Sequence, residues 1–281
     1  VLGEERPDWL VVDHYALDSA WEAELRPVAG SIAVLDDLAN RPHDCDLLLD
    51  QNLGRSDQNY AGLVPKHCNL LIGPRFALLR PEFARLRGES LERRRSPRLE
   101  RILVSMGGVD KDNATGRVLE ALRDARLPEN LQIEVVMGGN APWLRAVKAQ
   151  ANAMPWLTRV KIDISDMGLR MAAADFAIGA AGSTTWERCC LGLPSLIVET
   201  ADNQAGITHA MAASYAALDA GSLQDPRFKH NVEVALDEAI NPTRRYALSG
   251  NAAAICDGNG APRVASTLIE TDLCNYPKAE A

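Results

Sequence analysis

Three stretches of this chain combine glycine, hydroxyl and carboxylate residues in the manner of ligand-holding turns. In the first, Ser105-Met106-Gly107-Gly108-Val109-Asp110-Lys111-Asp112-Asn113 follows an apolar run and leads into a helical pattern. Paired glycines let the backbone turn tightly and approach a ligand, and the helix start behind them offers N–H groups and a positive dipole end to a phosphate. The plainer alternative is a βα turn with Asp112 or Asn113 as helix cap. The stretch is neither the GxGxxG dinucleotide fingerprint nor a Walker loop. In the second, Gly179-Ala180-Ala181-Gly182-Ser183-Thr184-Thr185-Trp186-Glu187 again joins an apolar run to a helix. Here Glu187 has two readings: Thr184-x-x-Glu187 has capping-box spacing, which spacing alone favours, and a carboxylate so placed can also accept from a ribose diol. The third, Glu199-Thr200-Ala201-Asp202-Asn203-Gln204, is either a polar loop capping the next helix or a set of ligand contacts.

Two more polar groups follow apolar runs nearer the start, Val12-Asp13-His14-Tyr15 and Asp36-Asp37-Leu38. The carboxylates suit sugar hydroxyls, or else caps and turns. His14 has the chemistry of a general base, but a lone histidine beside a strand is more often structural or simply at the surface. No Ser-His-Asp grouping and no HExxH motif can be placed on the chain.

These turns need strands to hold them. Apolar runs occur at Trp9–Val12, Ser31–Leu35, Leu47–Leu49, Ile102–Ser105, Ile133–Met137, Val160–Ile162, Phe176–Gly179 and Ser195–Val198. Several are too continuously apolar for half-exposed strands and predict parallel sheet covered on both faces. Helical patterns at Thr115–Ala125, Ala141–Ala153 and Thr185–Leu191 alternate with them. The fold class is therefore α/β, two Rossmann-like doubly wound domains, with all three ligand turns on the carboxyl edge of the second sheet. The reading places a partial first domain at 1–86, a linker at 87–98, a second domain at 99–272 and a frayed tail at 273–281. The first-domain polar groups would face the second domain across a cleft. The arginines at 93, 94, 95 and 98 read as solvated linker.

A net charge of -8 over 281 residues gives no basic surface for a nucleic acid, and an apolar content of 47% excludes a disordered chain. No apolar stretch reaches membrane-spanning length and no export signal is visible. Six cysteines without a CxxC, and five scattered histidines, read as free thiols in a reducing cytoplasm without a zinc site.

Taken together, the motifs resemble the UDP-2,4-diacetamido-2,4,6-trideoxy-β-L-altropyranose hydrolases of pseudaminic acid biosynthesis and, more distantly, the MurG-like glycosyltransferases of GT-B fold. The resemblance is carried by Val12-Asp13-His14-Tyr15, Leu35-Asp36-Asp37-Leu38, Asp50-Gln51-Asn52, Gly73 through Phe83, Met106 through Asp110, Gly182 through Glu187, Gly192-Leu193-Pro194, Asp202-Asn203-Gln204 and Asp257 through Ala261. It implies a UDP-sugar substrate whose anomeric carbon is attacked by water with inversion, no cofactor and no obligatory metal. It also assigns ribose to Glu187, diphosphate to Gly107, Gly108, Ser183 and Thr184, and the sugar to Tyr15 and Asn203, with Gln204 beside it.

The family's Gly-His-x-x-Arg motif, whose histidine is the expected water-activating base, occurs nowhere in this sequence. With Val1 opening close to an interior strand, the expectation is a chain lacking its leading β/α units, weak in catalysis and prone to self-association through exposed apolar faces. Two alternatives stay open: a GT-B glycosyltransferase using a UDP-sugar donor, and a non-catalytic UDP-sugar-binding fragment. An NAD enzyme is disfavoured, because neither glycine turn carries the third glycine and downstream acid.

Overall fold

The computed structural model describes residues 6–96 and 98–275. Its chain forms two compact units: residues 1–78 with 259–281, and residues 79–258.

In the first unit, β1 (Trp9–Val12), β2 (Ser31–Leu35), β3 (Leu47–Asp50) and β4 (Asn69–Ile72) form one parallel sheet in the order β1-β2-β3-β4. Apolar residues point to both faces, as the continuous runs require. Val12, Ile32, Val34 and Leu48 meet Cys45 and Tyr60 on one side. Ala33, Leu47, Leu49 and Leu71 meet Val264 and Leu268 on the other. Those last two come from the distant helix α10 (Gly260–Asn275), so the end of the chain completes the first unit's core. The helix α1 (Ser19–Leu25) is capped by Asp18, whose carboxylate accepts from the Ala20 N–H.

The second unit opens on α2 (Pro81–Arg94), with proline at a position where a missing N–H costs nothing. Six parallel strands follow: β5 (Arg101–Ser105), β6 (Gln132–Met137), β7 (Leu157–Ile162), β8 (Phe176–Ala180), β9 (Ser195–Glu199) and β10 (Leu218–Ser222). Their spatial order is β10-β9-β8-β5-β6-β7. The connecting helices are α3 (Ala114–Asp124), α4 (Leu144–Asn152), α5 (Met167–Ala173), α6 (Thr184–Cys190) and α7 (Ala205–Ala213), followed by α8 (Phe228–Ile240) and α9 (Pro242–Ile255). A single large core joins Ile102, Val104, Ile133, Val135 and Ile178 of the sheet to Val118 and Leu122 of α3 and Val232 and Leu236 of α8.

The segment 87–98, read from its charge as a solvated linker, is helical through Arg94 and bound into the second unit. The Arg87 guanidinium donates to the carbonyls of Cys256 at 2.9 Å and Ala253 at 2.8 Å. Arg94 is buried, donating to the Met171 and Ala174 carbonyls at the end of α5, and Arg93 is held by Asp175 at 2.6 Å. Arg87, Arg93 and Arg94 thus serve helix-end carbonyls and one aspartate rather than water, while Arg95 and Arg98 are exposed as expected, a difference that charge patterning alone does not reveal. The 273–281 stretch read as a tail belongs to α10 up to Asn275 and otherwise lies outside the described residues. No helix among the described residues is long and apolar enough to cross a membrane.

Candidate functional site

In the second unit the strand order reverses between β5 and β8. Chain growth proceeds outward from β5 through β6 to β7, then returns to β8 and continues through β9 to β10. Open α/β sheets bind ligands in the crevice outside the carboxyl ends of strands at such a switch point. The two loops flanking it are those after β5, with Gly107 and Gly108, and after β8, with Gly182, Ser183 and Thr184. The Asn203–Gln204 loop follows the next strand, β9. Seven of the eight residues expected at the site therefore share one sheet edge. The eighth, Tyr15, belongs to the first unit.

Gly107 and Gly108 are exposed, and Gly107 sits at φ 88°, where a side chain would be strained. The loop is fixed from β6: the Gly138 N–H donates to the Gly108 carbonyl at 3.0 Å. A Cβ on Gly138 would stand 2.3 Å from that oxygen. Gly138→Ala is therefore expected to push the Gly107–Gly108 turn aside and weaken any ligand held there at least tenfold. Titration calorimetry beside a thermal melt checks this, because the substituted surface loop should leave the core transition nearly unchanged.

The helix start behind this turn differs from the expectation. The N–H groups of Ala114 and Thr115 donate to the Asp110 carboxylate at 2.8 and 3.0 Å, and the Gly116 N–H donates to Asn113 at 3.2 Å. Asp110 and Asn113 both adopt left-handed backbone to do so. The α3 start is thus already occupied by a carboxylate and an amide, and a phosphate can use only the glycine turn in front of it.

After β8, the Ala181 N–H is engaged by the Val198 carbonyl and that of Thr185 by Gly182. Ser183 is exposed and Thr184 half-buried. Glu187 does not form the capping box that its spacing allows: the helix cap is Ser183, without a side-chain cap bond. The Glu187 side chain is only 16% exposed and its nearest cationic partner is Arg80, at 3.8 Å. Burial pushes its carboxyl above the ordinary glutamate range, with Arg80 and Arg188 opposing. Its oxygens accept no hydrogen bond among the described residues and are not fully shielded from solvent, which leaves them open to a donor from a ligand.

After β9, the Gln204 amide oxygen accepts from the Thr200 N–H at 2.8 Å and the Thr200 hydroxyl at 3.1 Å, closing the loop on itself. Asn203 beside it is exposed. Gln204 therefore shapes the turn, while Asn203 is left facing solvent.

The first unit carries its own polar cup, of about 100 Å³, lined by Asp13, Tyr15, Asp36, Asp37 and Gln51. The Tyr15 hydroxyl donates to Asp37 at 3.1 Å. Burial raises the Asp37 carboxyl, and its Oδ1 is shielded without a partner. His14 is exposed, and its Nδ1 accepts from the Ala16 N–H, an ordinary local turn.

Beneath the cup lies a buried network that the motifs did not disclose. Asp36 accepts from Arg41 at 2.7 Å and from the Ala39 N–H. The Tyr60 hydroxyl stands 3.0 Å from Asp50 Oδ2 and 3.1 Å from Asp36 Oδ2. Glu22 and His43, both buried, pair at 2.7 Å. Burial pushes the Asp50 carboxyl up to about 6, against hydrogen bonds from Asn52 and Tyr60 that lower it. The folded state then holds a proton that the unfolded chain, at an ordinary carboxylate value of 3.8, releases earlier. The contribution of this one group to stability is full below about pH 4 and is lost as pH rises through about 6, by on the order of 3 kcal/mol. Asp50→Asn keeps the acceptor for Asn52 and should flatten that slope. Urea unfolding at pH 4.5 and 7.5 measures it, and equal slopes in both proteins would return Asp50 to ordinary titration.

Two parallel sheets, the second doubly wound with its switch-point crevice, define an α/β protein of GT-B-like architecture. Among solved structures the chain is similar to MurG of Acinetobacter baumannii, with TM-score 0.66 and 17% identity, covering 89% of this chain and 76% of that one. It is also similar to the S. aureus MnaA–UDP structure, with TM-score 0.61 and 14% identity over 98% of this chain and 78% of that one.

In sequence the chain is similar to the UDP-2,4-diacetamido-2,4,6-trideoxy-beta-L-altropyranose hydrolase of Campylobacter jejuni, 27% identical over 148 residues, 53% of this chain and 50% of that protein. Spore coat polysaccharide biosynthesis protein SpsG of Bacillus subtilis is 30% identical over 149 residues, 53% of this chain and 43% of that protein. The matched region thus spans half or less of the length of the curated relatives. No protein-family model matches the chain.

Proposed function

We propose that the chain processes a UDP-linked sugar, and specifically that it hydrolyses a UDP-linked diacetamido-trideoxy sugar to the free sugar and UDP, as in pseudaminic acid biosynthesis. The observation that carries this reading is Glu187: a largely buried carboxylate, uncapped and without a hydrogen bond, on the helix that follows a switch-point loop. Such a group suits the two hydroxyls of a ribose, which would satisfy its oxygens on binding. Gly107, Gly108, Ser183 and Thr184 line the crevice as diphosphate contacts, and Asn203 is the sugar contact on the loop that Gln204 closes. The Campylobacter relative bears the name of this hydrolase and supports the choice of reaction.

In the reaction, water oxygen bonds to the anomeric carbon as the carbon–oxygen bond to UDP breaks. UDP departs with the electron pair, stabilised by the N–H groups of the two loops. No residue of this chain is assigned as the base that takes the water proton. The Tyr15–Asp37 pair is a separate candidate for hydroxyl binding within the first unit.

The test is to incubate the chain with the UDP-diacetamido sugar and follow the anomeric proton by NMR. Free sugar appearing first in the inverted configuration, with UDP, is the expected result. Sugar found only on an added acceptor would make the chain a transferase, and UDP binding without turnover a binding fragment. No binding of UDP or UDP-sugar to folded chain would end the reading altogether.

A further inference from the structure

The most buried cation near the crevice is Arg188, with 2% of its surface exposed. Its guanidinium reaches back under the loop after β8, donating to the Ala180 carbonyl at 2.9 Å, the Thr185 hydroxyl at 3.0 Å and the Thr184 hydroxyl at 3.3 Å. Its Nε has no partner. Among the described residues no carboxylate lies within ion-pair distance of it; the adjacent Glu187 makes its approach to Arg80 instead. Burial lowers the Arg188 guanidinium to about 10, so it stays charged at neutral pH.

Two features make this more than a loop fastener. The strand gives up a side chain to admit it, since a Cβ on Gly179 would stand 2.4 Å from Arg188 Nη1. Burying a full charge is also costly, and a neutral donor could tie the same three oxygens without that cost. The charge sits against Ala180, Thr184 and Thr185 at the start of the helix that follows β8, in a protein whose net charge is -8.

We infer that Arg188 is a positioning residue that supplies a fixed positive charge under the β8 loop, so that the crevice selects the diphosphate of a nucleotide over the neutral nucleoside. The inference rests on the UDP reading of that crevice. Arg188 acts through the loop: it orients Thr184, and its field, little screened in the interior, favours an anion above the loop.

The test is calorimetric titration of both UDP and uridine into the wild type, Arg188→Met, Arg188→Gln and Arg188→Lys, each checked for folding by circular dichroism and a cooperative melt. Arg188→Met and Arg188→Gln should lose at least tenfold in UDP affinity while uridine affinity changes less than twofold. Arg188→Lys, which keeps the charge, should recover most of the UDP affinity. A folded neutral variant that loses UDP and uridine equally, or neither, makes Arg188 a structural fastener only and overturns the inference. So does failure of both neutral variants to fold. Wild-type protein that binds neither ligand strikes the UDP reading itself, a result separate from all of these.

Discussion

Replacing Glu187 with alanine is expected to reduce UDP affinity by a hundredfold or more while leaving the protein at least as stable. The two halves of that expectation come from one cause. In the free protein the Glu187 carboxyl is desolvated, raised above its usual range and without a hydrogen bond. Folding therefore gains little from it, and Glu187→Gln, which removes the charge, should be neutral or mildly stabilising. In the complex the same oxygens would accept from both ribose hydroxyls, and hydrogen bonds to a charged group contribute about 1.5–3 kcal/mol each. Losing both corresponds to a factor of about 10² to 10⁴ in affinity. Titration of UDP and of 2′-deoxy-UDP separates the contributions: the wild type should discriminate between them, and Glu187→Ala should bind both alike. A helix-capping role would give the reverse pattern, with the melting temperature falling and UDP binding unchanged.

The second large effect lies in the first unit. Glu22 is fully buried, accepting from the Asp44 N–H through one oxygen and pairing with His43 Nδ1 through the other at 2.7 Å. Glu22→Ala strands a buried imidazole and a partly buried N–H together, and breaking a buried pair in this way costs about 3–5 kcal/mol. The nearby Glu24 is exposed on the same helix, and Glu24→Ala should cost less than about 0.5 kcal/mol. Urea denaturation of the two variants side by side measures the contrast. A Glu22→Ala loss below about 1 kcal/mol would mean that water enters and replaces the carboxylate. The loss also bears on the polar cup above, since His43 Nε2 stands 3.9 Å from Asp36, which supports the turn carrying Asp37.

How much of this was legible in the residues differs from element to element. All eight apolar runs became strands, because a segment buried on both faces needs apolar residues throughout and announces itself. The two strands that escaped are short and compositionally quiet. Asn69–Ile72 has only three apolar residues, and Leu218–Ser222 places an exposed aspartate and a glycine in an edge strand. What makes Leu218–Ser222 a strand is its pairing with β9, a long-range fact. The carboxyl-edge placement of the three turns followed from the alternation of strands and helices, and the switch point then follows from the order in which the strands pair.

The sequence by itself determined the α/β class, the parallel sheets and the turns that flank the crevice, since burial periodicity and glycine chemistry are local properties. Tertiary structure decided the rest. It closed the α3 start with Asp110, so that the glycine turn alone remains for an anion, and it withheld the capping bond that Glu187's spacing allowed. It returned α10 to the first unit, because the apolar face of Leu47, Leu49 and Leu71 needs Val264 and Leu268 over it. It also buried Arg94 and Arg188, which in sequence look like any surface arginine. Whether a charge is solvated depends on which distant carbonyls and strands surround it, and no neighbouring residue in the chain records that.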